Sequence, residues 1–171
     1  MKAIIQPRYG SPDVLRLQEV EKPVLEDDRV LVRVRASSVN AADWRQLRGK
    51  PYAARPMMGG VRTPKSGAVG IDAAGIVEAV GKDVTHVAPG DEVYGMRNGA
   101  FAEYVSGRTF VLKPANLTFE QAAAVPVAGG TALSRSRTRA PSGPGSGSSS
   151  RARAAAWAPS PCSWPRRSAP P

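Results

Sequence analysis

The composition of the chain changes completely after Leu133, and this change limits how much of it can fold. Residues 134–171 contain only Ser, Arg, Pro, Ala, Gly, Thr, Trp and Cys, without one Val, Ile, Leu, Phe or Tyr. A segment so poor in apolar residues cannot bury enough surface to order itself. We therefore expect the folded region within residues 1–133 and a disordered tail over 134–171.

The charge of the chain is concentrated in this tail. It holds seven of the 24 basic residues and none of the 14 acidic ones, so residues 1–133 carry only +3 of the formal charge of +10. The basic balance therefore describes the tail and gives no reason to expect a nucleic-acid or membrane partner for the folded region. An arginine-rich tail that binds nucleic acid is the alternative interpretation of residues 134–171.

Residues 1–112 predict short β-strands separated by turns. The clearest strand covers residues 29–39, where Val30, Val32 and Val34 alternate with polar residues such as Arg33, as in a strand with one buried face. Further strands are expected around residues 2–6, 15–20, 76–80, 92–94, 101–105 and 110–112. Many short strands with frequent turns indicate a mainly β, barrel-like domain.

Two helix starts can be read from capping residues. Asn40 precedes a short helical segment over residues 41–47, and Thr118 and Gln121 have the spacing of a capping box. The second start is expected to lead into another domain. We therefore divide the chain into a domain at 1–115, a helical segment at 116–133 and the tail at 134–171.

Four ordered motifs follow one another between residues 70 and 133. They are Gly70–Val77 with Val80-Gly81, Gly90–Gly95, Gly99–Tyr104 and Ala124–Leu133. Their order and spacing resemble the GroES-like domain of medium-chain dehydrogenases and reductases. The resemblance implies a partly open β-barrel with short helices, followed in the family by a dinucleotide-binding Rossmann domain.

Two positions indicate the branch of this family. Zinc-dependent members place a ligand Cys where this chain has Asn40 and a His where it has Ile71, and neither residue here is a zinc ligand. The pattern resembles zinc-independent quinone oxidoreductases and enone reductases. The resemblance implies hydride transfer from NADPH to a small quinone, enone or carbonyl acceptor, without a metal. An NAD(P)-dependent alcohol dehydrogenase-like reductase and a non-catalytic binding or oligomerising GroES-like module are the alternatives.

The resemblance also implies three site residues. Tyr52 would line the acceptor cleft and polarise a carbonyl, although a packed loop aromatic would explain it equally. Asn40 would contact the nicotinamide end of the cofactor, or serve as a helix cap, or both. Thr131 would contact cofactor phosphate or ribose, or be an ordinary helix threonine. Asp72 is expected to hold strands together by hydrogen bonding rather than to act as a base.

The tail also gives a reason to expect no Rossmann domain in this sequence. If the tail is read one base out of frame, Trp157-Ala158 must encode Gly and Trp164-Pro165 must encode Ala. The permitted sequence includes V-L-V-T-G-A-G-G-G-V-G, which predicts a strand, a glycine loop and a helix that bind dinucleotides. We therefore expect a frameshift near Leu133 and no appreciable NADPH binding or turnover by this chain.

The cysteine count and the distribution of apolar residues indicate where in the cell the protein is expected. Cys162 is the single cysteine and lies in the tail, which excludes a disulfide framework within the chain. The N-terminal apolar run is too short for a signal peptide, and no stretch approaches the roughly 20 apolar residues of a membrane span. A cytoplasmic protein is expected, and the sequence assigns no oligomeric state.

Overall fold

Two antiparallel sheets form the framework of the structure, which is a computed structural model describing residues 1–56, 60–64 and 67–139. The chain divides into two units, Met1–Thr131 and Ala132–Pro171. The strands all lie in the first unit. They are β1 (Lys2–Ile5), β2 (Arg16–Glu19), β3 (Val30–Ser38), β4 (Asp72–Val80), β5 (Glu92–Met96), β6 (Tyr104–Gly107) and β7 (Phe110–Leu112).

The larger sheet has five strands in the order β6-β3-β4-β5-β7, and β1 pairs with β2 in the smaller one. The register of β3 and β4 runs from Val30 opposite Val80 to Ser38 opposite Asp72, with two shifts along β3 that bend the pair. The expected mainly β fold is confirmed. The sheet is open, because β6 and β7 form its two edges and do not pair with each other.

The hydrophobic core includes the inward-facing residues of β3. Val30, Val32, Val77 and Phe110 are almost completely buried, and each such side chain stabilises the fold by roughly 1.5–3 kcal/mol. The predicted alternation is confirmed from residue 32 onward, where the even positions are more buried than the odd ones. Leu31 departs from this alternation because both faces of β3 are buried at its start, over residues 30–32.

Glycines allow the backbone to approach closely where the sequence motifs predict it. A Cβ atom on Gly75 would lie 2.9 Å from the Arg33 carbonyl carbon of the neighbouring strand, closer than real side chains come. Gly90 has φ +94°, a backbone conformation that other residues rarely adopt. Gly75 therefore meets a steric requirement of the sheet, and Gly90 meets a conformational requirement of the turn before β5.

Three helices accompany the sheets: α1 (Ala41–Arg48), α2 (Phe119–Ala123) and α3 (Pro126–Arg139). The predicted capping box of α2 is confirmed, since Gln121 N–H donates to Thr118 Oγ1 at 3.2 Å and Thr118 N–H donates to Gln121 Oε1 at 3.0 Å. Helix α3 continues through Arg139, beyond the position where the composition changes. The rest of the expected disordered tail, residues 140–171, lies outside the described residues.

Every strand pair that the structure describes is antiparallel. A dinucleotide-binding unit needs two parallel strands joined by a crossover helix. The described residues therefore contain no such unit.

Candidate functional site

A buried carboxylate ties the beginning of helix α1 to the start of strand β4. Asp72 is fully buried, and its Oδ2 atom accepts hydrogen bonds from Asn40 Nδ2 and Ser38 Oγ, each at 3.1 Å. These groups meet because Ser38 pairs with Asp72 in the sheet register and Asn40 follows two residues later. Asp72 makes the expected hydrogen bond between the strands, and the same carboxylate fixes the orientation of the Asn40 amide.

The same carboxylate also reaches helix α3. The Val127 N–H donates to Asp72 Oδ1 at 3.2 Å and to Oδ2 at 3.3 Å. Val127 is the second residue of α3, where N–H groups lack partners within the helix and carry partial positive charge. Asp72 therefore joins the sheet, α1 and α3 in what we call the Asp72 network, formed by Ser38, Asn40, Asp72 and Val127.

A second carboxylate lies beside this network. Asp43 Oδ2 accepts the Asn40 N–H at 2.7 Å in the first turn of α1, and Asp43 Oδ1 has no hydrogen-bond partner within the described residues. Burial raises the pKa of the Asp43 carboxyl, and the nearby charge of Asp72 raises it further, against the opposing effect of the Asn40 hydrogen bonds. The beginning of α1 therefore disfavours a second negative charge beside Asp72.

Asn40 lies at the position where α1 begins, as the capping interpretation predicts. Its backbone is extended, its side chain is half-buried, and its amide also lies 3.3 Å from Ser38 Oγ. The amide is therefore held from two sides by its neighbours. The contact of Asn40 with a nicotinamide group stays a prediction.

Thr131 belongs to the same chain of hydrogen bonds. Its hydroxyl donates to the Val127 carbonyl oxygen at 2.7 Å, the bond that a helix threonine makes to the residue four positions earlier. Val127 in turn donates its N–H to Asp72. The structure therefore connects the two predicted cofactor residues, Asn40 and Thr131, through Asp72 and Val127, while the contact of Thr131 with cofactor stays a prediction.

Tyr52 lies beyond the other end of α1, in a short 3₁₀ turn over Tyr52–Ala54. Its side chain is 65% exposed, and its ring centroid lies 4.6 Å from the guanidinium carbon of Arg55. The same guanidinium lies 4.5 Å from the ring centroid of Tyr9. Tyr52 therefore stacks on a cation at the surface instead of packing into the sheet, and its catalytic role stays a prediction.

Helix α1 separates Tyr52 from the Asp72 network. The helix has eight residues and so extends about 12 Å along its axis, with Asn40 before its first residue and Tyr52 after its last. Trp44 and Arg48 follow Asn40 at intervals of four, which places the three on one face of the helix. That face is open, since Trp44 is 50% exposed.

A cleft of about 280 Å³ opens at the end of α1, and we call it the α1 cleft. Its lining consists of Tyr9, Gly10, Ser11, Arg48, Lys50, Tyr52 and Arg55. Gly49 closes the helix with φ +59°, and a Cβ atom there would lie 2.7 Å from the Tyr9 ring. The glycine therefore allows the helix end, the Tyr9 ring and the Arg55 side chain to pack together.

The sequence interpretation missed most of this cleft. Tyr9 is 43 positions before Tyr52, and no local pattern connects it with Arg55. The spacing of Asn40, Trp44 and Arg48 was the available signal, because residues four apart share a helix face. Arg55 carries no such signal, since its position depends on how the following loop folds back.

The described residues contain no group of three or more His, Cys, Asp or Glu that could hold a metal ion. Asn40 and Ile71 offer no thiolate or imidazole ligand at the two positions discussed above. None of the helices within the described part of the chain is long and apolar enough to cross a membrane.

Known proteins share both the sequence and the fold of this region. The family model described as the alcohol dehydrogenase GroES-like domain matches residues 26–115. A 2-methylene-furan-3-one reductase of Solanum lycopersicum is 37% identical over 145 residues, covering 77% of this chain and 36% of the reductase.

Solved structures agree with this match. The quinone oxidoreductase of Coxiella burnetii superposes with a TM-score of 0.71 and 34% identity, covering 81% of this chain and 44% of that one. A quinone oxidoreductase of Escherichia coli, complexed with NADPH, gives a TM-score of 0.68 and 27% identity, covering 80% and 40%. The chain therefore spans less than half of the length of these proteins.

Proposed function

We propose, from the premise that this chain belongs to the alcohol dehydrogenase GroES-like domain family of medium-chain dehydrogenases and reductases, that it supplies the acceptor-binding half of an NADPH-dependent oxidoreductase. The acceptor would be a small quinone, enone or activated carbonyl, reduced without zinc. The observation that supports this best is the shared sequence and fold with quinone oxidoreductases, one of them complexed with NADPH. The Asp72 network supplies a residue, Asn40, suited to the cofactor side.

The residues of this chain fit part of the cofactor. The Asn40 amide is held by Asp72 and Ser38, so it presents a fixed polar edge to a nicotinamide carboxamide or ribose hydroxyl. The Thr131 hydroxyl is exposed and oriented by its bond to Val127, and its oxygen retains acceptor capacity. NADPH supplies a hydride when bound, and the groups that would grip its pyrophosphate are expected in a Rossmann domain.

The acceptor side would lie along the open face of α1. Trp44 and Arg48 extend this face from Asn40 toward Tyr52, whose exposed phenol is available to donate a hydrogen bond to an acceptor oxygen. A preorganised donor of this kind stabilises negative charge that develops on the oxygen during reduction. Tyr52 would therefore act on the acceptor, and Asn40 would act on the donor.

The test compares this chain with a frame-restored version that contains the predicted Rossmann domain. We expect the restored protein to oxidise NADPH in the presence of quinones or enones, and the 171-residue chain to show neither turnover nor appreciable NADPH binding by fluorescence titration. A low-micromolar NADPH dissociation constant for the 171-residue chain would refute the expected loss of binding. A folded restored protein without turnover on any acceptor would favour the non-catalytic module.

A further inference from the structure

The α1 cleft brings three positively charged side chains together without an acidic side chain in its lining. Arg48, Lys50 and Arg55 line it, and no acidic side chain does. Within the part of the chain that the structure describes, none of these three cations forms an ion pair, whereas Lys22, Arg29, Lys82, Arg108 and Lys113 all do. Asp13 is the nearby acid, and it accepts a hydrogen bond from Ser11 at 2.8 Å.

The most buried of the three cations is held in place before any ligand arrives. Arg55 Nε–H donates to the Gly49 carbonyl oxygen at 3.0 Å, and Nη1–H donates to the Val61 carbonyl oxygen at 3.1 Å. Its guanidinium also lies between the rings of Tyr9 and Tyr52. A guanidinium has five N–H groups, so donors remain for a ligand at little further cost in side-chain entropy.

The end of helix α1 opposes an anion only weakly. A helix carries roughly half a negative charge at its C-terminal end, but the last carbonyl groups here already accept hydrogen bonds. Gly49 N–H donates to Gln46, Lys50 N–H to Arg45, and both Gly10 N–H and the Gln6 amide to Leu47. Three unit positive charges therefore determine the sign of the potential in the cleft.

We propose that the α1 cleft binds an oxyanion, a carboxylate or a phosphate, carried by a small ring-containing molecule. The rings of Tyr9 and Tyr52 provide flat surface for such a molecule, and the volume of about 280 Å³ is at the lower end of ligand pockets. A whole dinucleotide does not fit in that space. The inference rests on the proposed function in one respect: it makes the preferred acceptor of the reductase an anion.

Binding can be measured on the 171-residue chain by following its amide resonances during titration. The probes are benzoate and phenyl phosphate, with inorganic phosphate, adenosine 2′-phosphate and neutral benzamide for comparison. We expect benzoate and phenyl phosphate to shift Gly10, Gly49 and Arg55 with an affinity about tenfold above that of benzamide. Binding should weaken several-fold as salt rises from about 0.05 to 0.5 M.

Matched arginine variants distinguish binding in the α1 cleft from non-specific electrostatic attraction to a basic protein. Arg48→Gln is expected to weaken benzoate binding about fivefold and to leave benzamide binding unchanged. Arg62→Gln, at an exposed arginine outside the cleft, is expected to change neither. Lys50→Gln provides a second cleft variant if Arg48→Gln fails to fold.

Each result has a defined meaning. Equal affinity for benzoate and benzamide, or equal effects of Arg48→Gln and Arg62→Gln, would overturn the oxyanion site. Tighter binding of adenosine 2′-phosphate than of phenyl phosphate would retain the oxyanion site and overturn its assignment to the acceptor, because the cleft would then recognise a nucleotide phosphate.

Assays of the frame-restored protein distinguish the oxyanion site from the proposed reductase function on which it rests. Turnover with an approximately tenfold preference in kcat/KM for carboxylate-bearing quinones, reduced by Arg48→Gln, would support both. Turnover without that preference would retain the reductase and remove the oxyanion site. Benzoate binding without turnover on any acceptor would retain the site and remove the reductase.

Discussion

The two ends of helix α1 satisfy polar groups in opposite ways. At the beginning of the helix, the Asp72 carboxylate is buried and accepts hydrogen bonds from Asn40, Ser38 and Val127. At the other end, Arg48 is exposed and no acid within the described residues pairs with it. The first end is closed by internal hydrogen bonds, and the second end leaves charge available to a ligand.

This difference assigns separate roles to the two ends. A buried, hydrogen-bonded network holds its members in one geometry, because any movement leaves a polar group without a partner. An exposed basic cleft contributes little to stability, since surface charges interact weakly in water. The beginning of α1 is therefore expected to determine position, and its end to determine which molecules bind.

The largest expected effect comes from removing the carboxylate of the Asp72 network. Asp72→Ala leaves the donors of Asn40, Ser38 and Val127 without an acceptor, and we expect the free energy of unfolding to fall by about 3 kcal/mol. Urea unfolding measures this change. Ser38→Ala is the control, with an expected loss of about 1 kcal/mol, and equal losses in the two variants would contradict the central position of Asp72.

A smaller effect is expected at the other end of the helix. Gly49→Ala places a methyl group in a left-handed conformation and against the Tyr9 ring, so we expect a loss of about 2 kcal/mol together with weaker benzoate binding. Gly130→Ala is the matched control, because a Cβ atom there meets nothing within 4 Å in helix α3. It should raise stability by up to about 1 kcal/mol and leave binding unchanged.

The smallest effect concerns the pH dependence of the Asp43 carboxyl, whose pKa burial raises in the folded protein. Above the ordinary value of 3.8, the unfolded chain loses this proton while the folded protein still holds it, so stability falls as pH rises toward the folded pKa. Below 3.8 both states hold the proton, so Asp43 no longer lowers the stability.

Asp43→Asn tests this dependence because the amide keeps the shape and does not ionise. Relative to the variant, the parent protein should lose stability as pH rises above 3.8, by less than either change above. Thermal unfolding at a series of pH values measures the difference. Parallel stability curves for the two proteins would show that Asp43 ionises in the folded state as it does in the unfolded chain.

Local patterns predicted most of the elements that form the two ends of α1. The alternation along residues 29–39 gave strand β3, Asn40 gave the beginning of α1, and the Thr118–Gln121 spacing gave the beginning of α2. These predictions hold because side-chain alternation and helix capping depend on residues only a few positions apart. The many short strands with frequent turns then predicted the mainly β fold, which the structure confirms with an open sheet.

The site itself depends on contacts that no local pattern encodes. Asp72 reaches Val127 across 55 positions, and Arg55 meets the ring of Tyr9 only because the loop after α1 folds back over the end of the helix. The sequence alone therefore determined which segments become strands and helices, and which residue types could serve a reductase. The tertiary structure decided that a buried carboxylate orders one end of α1, and that cations without an acidic partner among the described residues gather at the other. Burial and charge pairing are properties of packed neighbours, and those neighbours are distant along the chain.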